Sequence, residues 1–197
     1  MIARLGLRKV LAAALAVSAV FSLSACSNDK LADQFKAGDN KNYIAGDGTV
    51  TEFSAESRGS AVKWSGTTES GDVISSEALS GVVTVMNFWY AGCAPCRAEA
   101  PDLVSLQEEF GDVQFVGVNV RDAAPTAIAF EKNFKINWPS VIDANTGSVL
   151  LAFTGIVTPQ AVPTTIVIGR DGKVTARILG RADKSILRTL IKTASTD

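Results

Sequence analysis

Two cysteines three residues apart, Cys93 and Cys96, stand in the run Asn87-Phe88-Trp89-Tyr90-Ala91-Gly92-Cys93-Ala94-Pro95-Cys96-Arg97. In a first helical turn such residues face one another with Cβ atoms roughly 5–6 Å apart, slightly beyond the usual disulfide separation, so a small adjustment joins them. A bond closed in this way is formed and reduced more readily than a relaxed structural disulfide. The chemistry implied is reversible dithiol exchange. A helix N-terminus supplies positive partial charge at Cys93, and Arg97 at i+4 adds a cation; both favour thiolate over thiol. Cys93 is therefore the expected nucleophile. Cys96, one turn deeper, is the expected resolving thiol that releases a mixed disulfide.

Two plainer readings compete. A structural zinc needs four nitrogen or sulfur ligands, whereas the chain has no histidine and only one further cysteine, Cys26. No metal and no cofactor are expected. An inert structural disulfide is the other, although so short a loop constrains the unfolded chain little.

The flanking elements must deliver this pair. Val82-Val83-Thr84-Val85-Met86 is continuously apolar or β-branched, as a parallel strand covered on both faces would be. A helix is predicted from Ala94 to Phe110, with Leu103, Leu106 and Phe110 on its buried side. Pro95 suits the first turn, where its missing N–H would be unpaired anyway; Pro101 lies inside the pattern and removes one backbone bond. Val113–Val120 reads as a second strand and Pro125–Phe134 as a helix. Thr164–Ile168 and Val174–Leu179 flank the turn Gly169-Arg170-Asp171-Gly172-Lys173. Asp183 caps a last helix with the stripe Ile186, Leu187, Leu190 and Ile191. Ala61–Trp64 and Asp72–Ile74 flank Gly- and Ser-rich turns and suggest a short N-terminal hairpin. The resulting order, β-α-β-α-β-β-α, gives an α/β fold: a mixed central sheet flanked by helices, with an N-terminal β-hairpin extension.

The third cysteine belongs to a different pattern. Residues 1–9 carry Arg4, Arg8 and Lys9, residues 10–23 form an apolar stretch too short to span a bilayer comfortably, and Leu23-Ser24-Ala25-Cys26 closes it. This resembles the lipobox of bacterial lipoprotein signal peptides. The resemblance implies removal of residues 1–25 and acylation of Cys26, which would hold the protein durably on the extracytoplasmic face of the cell membrane. An uncleaved anchor and an ordinary secretory signal are the alternatives; either still exports the globular part. Removal takes away three basic residues and no acid, leaving 16 Lys and Arg against 20 Asp and Glu. That balance argues against nucleic acid as a partner. Residues 26–57 are polar, Gly-dotted and poor in apolar periodicity, and read as a tether. Residues 58–197 suit one domain with a sizeable core.

With strand, aromatic pair, C-x-x-C and the following Arg97-x-Glu99-x-Pro101 in place, the chain resembles the thioredoxin fold. FWYAGCAPCRAEAP is similar to the active-site segment of the membrane-anchored ResA and TlpA group, over residues 58–195. The resemblance implies a cis proline where the late strand begins, at Val162-Pro163-Thr164. Such a peptide would aim the backbone of Val162 at the dithiol, where an extended substrate pairs as an added strand. It also implies that Glu99 modulates proton transfer at the dithiol, opposing thiolate formation and taking the proton of Cys96 during resolution. A solvated helix glutamate is the alternative. Trp89 and Tyr90 read as core and site wall, with Trp89 also a candidate for substrate binding alongside Val162 and Pro163. Two positions depart from the general thioredoxin pattern: Asn87 replaces a buried acid and Gly92 replaces tryptophan.

The function implied is an extracytoplasmic thiol–disulfide oxidoreductase working through a mixed disulfide on Cys93. Its expected partners are cysteine-containing exported proteins, such as the C-x-x-C-H segment of apocytochrome c, and a membrane thiol–disulfide electron carrier. Rival readings are a disulfide-forming oxidase of the same fold, a Cu(I)-delivery module holding copper on two soft thiolates, and a thiol peroxidase.

Overall fold

The computed structural model describes residues 49–158 and 161–197. Cys26, the expected signal segment and most of the expected tether therefore lie outside the described residues. Among the described residues no helix is long and apolar enough to cross a membrane.

Among the described residues the elements follow in the order β1 (Val50–Glu52), β2 (Ser65–Thr67), β3 (Val73–Ser75), β4 (Thr84–Trp89), α1 (Ala94–Glu109), β5 (Gln114–Asn119), α2 (Ala124–Phe134), β6 (Ser140–Ile142), α3 (Ser148–Ala152), β7 (Thr164–Ile168), β8 (Val174–Leu179) and α4 (Lys184–Thr196). Six strands form one mixed sheet in the order β1-β8-β7-β4-β5-β6. β4 runs parallel to β5 and β5 to β6, while β7 lies antiparallel to β4 and to β8. The expected hairpin is present as the separate pair β2–β3, displaced by a few residues from Ala61–Trp64 and Asp72–Ile74.

β4 is central, and every one of its six residues is buried, as expected of a mostly apolar strand covered on both faces. Its side chains alternate between the two faces. Val83 and Val85 meet Leu103 and Leu106 of α1 and Leu187, Leu190 and Ile191 of α4. Met86 and Phe88 join Trp64, Val116, Val118, Phe153 and Ile166 on the opposite face. This double covering holds the C-terminal end of β4 rigidly where α1 begins.

Three short elements escaped the sequence pattern. β1 falls within the stretch read as tether, yet Val50 is buried and its residues pair antiparallel with β8 from Val50↔Ile178 to Glu52↔Ala176. The ordered sheet therefore starts before residue 58. β6 and α3 lie between α2 and β7, with α3 fastened by the buried Asp143. Its carboxylate accepts from Val149 N at 3.1 Å and Leu150 N at 2.8 Å, satisfying first-turn donors that otherwise lack partners.

One glycine in the sheet is required by space. A Cβ on Gly117, in the middle of β5, would collide with Ser140 Oγ and lie 2.8 Å from Trp89 Nε1. Gly117→Ala should therefore destabilise the fold by about 1–3 kcal/mol through overpacking. Denaturant unfolding should show a lower midpoint with an unchanged slope; an unchanged midpoint would mean that Trp89 and Ser140 can move aside at no cost.

Candidate active site

Cys93 stands four residues beyond the end of β4 and serves as N-cap of α1, in an extended conformation (φ −75°, ψ 110°). Its Sγ accepts from Cys96 N at 3.2 Å, taking one of the backbone donors a helix N-terminus leaves open. Pro95 occupies the first turn as expected, and α1 ends at Glu109, one residue short of the expected limit. Cys93 and Cys96 are joined in a disulfide with Cα atoms 5.2 Å apart. Both cysteines are 2% exposed, so burial does not rank them as nucleophile and resolver. The N-cap position sets them apart: a sulfur there receives the N–H of the first turn and the positive end of the helix, both of which stabilise a thiolate.

Arg97 reaches the loop that precedes Cys93. Its Nη1 donates to Ala91 O at 3.4 Å, and its guanidinium lies 5.2 Å from the ring centre of Phe134 and 6.0 Å from that of Phe130. The charge thus sits over an aromatic surface next to the loop that precedes Cys93.

The Val162–Pro163 peptide is cis. The loop is pinned by Gly180 N, which donates to Pro163 O at 2.8 Å, and by the Thr164 hydroxyl, which donates to Ala161 O. Val162 O lies 4.0 Å from Cys93 Sγ. Two chain segments 69 residues apart are thereby brought together at the sulfur, while Pro163 itself is buried beneath.

Trp89 forms a wall of the site. It is 3% exposed and packs against Phe130 with ring centres 4.3 Å apart, in a cluster with Cys93, Cys96, Ala100 and Ala127. The indole fills the space under the dithiol, and it is about as deeply buried as Cys93 itself. Tyr90 is only partly buried and lies beneath Arg121, whose guanidinium is 4.2 Å from the ring centre.

Glu99 is fully buried, which rules out the solvated alternative. Asn87 Nδ2 donates to its Oε1 at 2.8 Å and Ala182 N to its Oε2 at 2.7 Å. Burial dominates over these two donors and pushes its carboxyl up to about 7. Asn87 also donates to Thr165 Oγ1 at 3.0 Å, so the residue that replaces a buried acid orients the glutamate across β4, β7 and α1. The spacing held a signal for this burial. Cys96, Glu99, Leu103 and Leu106 recur at three- and four-residue intervals, one stripe of α1, and all four are buried.

Sequence reasoning passed over Asp122 altogether. It follows β5, and its Oδ2 accepts from Ala91 N at 2.6 Å and from Asn119 Nδ2 at 2.9 Å.

A family model described as Redoxin matches residues 45–191. The chain belongs to the Redoxin family. Among curated proteins, this Redoxin chain is 32% identical over 123 residues to the thiol-disulfide oxidoreductase ResA of Bacillus subtilis (strain 168), covering 60% of the chain and 66% of the relative. It is 28% identical over 107 residues to the thiol:disulfide interchange protein HelX of Rhodobacter capsulatus, covering 54% of the chain and 57% of the relative. The chain therefore spans somewhat less than two thirds of the length of both relatives. Among solved structures, a DsbF homologue from Corynebacterium diphtheriae superposes with a TM-score of 0.68 at 28% identity, over 77% of this chain and 96% of the other. A thiol:disulfide interchange protein of the thioredoxin family from Chlorobium tepidum TLS gives 0.63 at 30% identity, over 70% and 96%. The mixed sheet flanked by helices is the thioredoxin-like fold expected from the sequence.

Proposed function

We propose that this Redoxin protein is an extracytoplasmic thiol–disulfide oxidoreductase that reduces disulfides in exported proteins, among them the haem-attachment cysteines of apocytochrome c. The observation that carries this reading is the Cys93–Cys96 disulfide at the N-cap of α1, beneath a cis-proline loop whose Val162 carbonyl is 4.0 Å from Cys93 Sγ. Similarity to ResA and HelX, both named as thiol–disulfide proteins, supports it. An extended substrate lies along Val162 as an added strand.

In the reduced protein, the Cys93 thiolate attacks one sulfur of the partner's disulfide. A bond forms between Cys93 Sγ and that sulfur, and the partner's other sulfur leaves as a thiolate. Cys96 then loses its proton and attacks Cys93 Sγ. The Cys93–Cys96 disulfide forms, the mixed disulfide breaks, and the partner departs with two reduced sulfurs. Glu99, one turn beyond Cys96 and with a carboxyl near 7, takes the proton of Cys96; a group that titrates near the working pH is suited to both accept and return it. A membrane thiol–disulfide carrier returns two electrons to the dithiol. Lipid on Cys26 keeps the domain at the membrane surface where that carrier and the exported substrates meet.

Two measurements test this. Reduced protein mixed with an oxidised C-x-x-C-H peptide should transfer two electrons and end with the Cys93–Cys96 disulfide; a peptide left oxidised under an excess of reduced protein would overturn the reductant reading. Mass spectrometry of membrane-derived protein should find the mature chain beginning at an acylated Cys26. An intact segment 1–25 or an unmodified Cys26 would remove the lipid anchor from the proposal.

A further inference from the structure

The parallel ladder between β4 and β5 ends just before the dithiol. Trp89, the last residue of β4, pairs with Asn119, the last of β5, and Val120 N donates to Trp89 O at 3.1 Å. Ala91 N has passed beyond the strand, and its acceptor is a side chain, Asp122 Oδ2, at 2.6 Å. A carboxylate thus stands where a backbone carbonyl would be if the ladder continued. Hydrogen bonds of this charge-assisted type are about twice as strong as neutral ones.

The carboxylate is itself held in place. Its Oδ2 also accepts from Asn119 Nδ2 at 2.9 Å, and Asn119 Oδ1 accepts from the backbone N–H groups of Asp122 at 2.7 Å and Arg121 at 3.1 Å. Asn119 is fully buried, so this closed ring of bonds is anchored in the sheet. On the other side of the loop, Cys93 N donates to Tyr90 O at 3.1 Å and Arg97 Nη1 donates to Ala91 O at 3.4 Å. Both backbone groups of Ala91 are therefore engaged, and only Gly92 separates it from Cys93.

We infer that Asp122 is a positioning residue for exchange at Cys93: its carboxylate extends the β4–β5 ladder by one rung and fixes the loop that sets Cys93 Sγ at the N-cap of α1. This rests on the reading of Cys93 as the attacking sulfur. Attack on a disulfide requires the three sulfurs to align, and a loop free to swing at Ala91 spreads Cys93 Sγ over unproductive orientations, which costs rate. Asp122 acts through Ala91, two residues before Cys93.

The test compares Asp122→Ala with Asp122→Asn in the full chain, using oxidised glutathione as probe. The single-turnover rate of Cys93 attack, the glutathione equilibrium constant and the melting temperature are measured for each. Asp122→Ala should slow the attack about tenfold, as expected when one orienting contact is lost. Asp122→Asn keeps an oxygen that can accept from Ala91 N and should restore the rate to within about threefold of the wild type. A side chain that merely stabilised the fold would lower the melting temperature and leave the rate, measured far below it, where it was. A rate for Asp122→Ala within about twofold of the wild type overturns the inference, as does an Asn variant as slow as the Ala variant, which would assign the effect to charge. Should Asp122→Ala not fold, amide exchange in the wild-type protein decides: the Ala91 N–H should be protected like a strand interior, and exchange at the rate of a free loop contradicts the clamp. A wild-type protein that failed to react with glutathione would instead remove the oxidoreductase reading, while the protection of Ala91 would still report on the clamp.

Discussion

Cys96→Ser should accumulate as a covalent adduct with its disulfide partner, and Cys93→Ser should lose exchange by at least about a thousandfold, the scale of removing a nucleophile from a chemical machine that works as a unit. The asymmetry follows from α1. Cys93 receives the Cys96 N–H at 3.2 Å and faces Val162 O at 4.0 Å, whereas Cys96 lies one turn inward, walled by Trp89 and Phe130. Serine at 96 leaves a mixed disulfide on Cys93 with nothing to resolve it. Serine at 93 leaves only the Cys96 thiol, which lacks the N-cap position that stabilises a thiolate. Non-reducing electrophoresis and peptide mass mapping after incubation with a disulfide substrate would read both. Adducts forming on Cys96 in the Cys93→Ser variant would reverse the assignment of nucleophile and resolver.

Glu99→Gln should flatten part of the pH dependence of both stability and exchange. In the folded, oxidised protein burial raises the Glu99 carboxyl to about 7, against an ordinary 4.5. The folded state therefore holds more protons than the unfolded state between those values. Its stability is full below about pH 4.5, falls as pH rises toward 7, and is level above. The loss attributable to Glu99 is at most on the order of 3 kcal/mol. Glutamine stays neutral and keeps the volume, so equilibrium unfolding of the variant should show a shallower decline over that window. A remainder should persist, because burial, assisted by the neighbouring Glu69, also raises Glu131 to about 7. In exchange, the missing carboxylate should lower the apparent thiol pKa values and slow release of the mixed disulfide at neutral pH. Superimposable pH–rate profiles for variant and wild type would take Glu99 out of the proton transfer and leave it as a buried structural acid.

What the sequence disclosed divides along physical lines. The strand–dithiol–helix unit was legible because an unbroken apolar run, a proline at the first turn and a stripe at helical spacing each record a local rule. β7, β8 and α4 were legible for the same reason: TTIVI, VTARIL and the Asp183 cap fall within a residue of their observed bounds. β1, β6 and α3 are three to five residues long, too short for any period to repeat, and they owe their form to partners far away in the chain. The cis peptide at Pro163 came from resemblance; no local pattern marks it. Asp122 was illegible because its meaning depends on two strand ends coming level, so that a carboxylate meets Ala91 N. Trp89 was half legible: its place beside the dithiol followed from its neighbours, whereas its burial under Phe130 depends on α2.

A redox titration of the purified protein in glutathione and dithiothreitol buffers, read by alkylation of Cys93 and Cys96 under native conditions, tests the central claim most directly. The expected result is one reversible two-electron transition, with a tenfold change in ratio per about 30 mV, lying between the roughly −120 mV of strong oxidants and the roughly −300 mV of structural disulfides. A Cys93–Cys96 disulfide that excess dithiothreitol opens only after denaturation would contradict it, and would make the pair a structural bond.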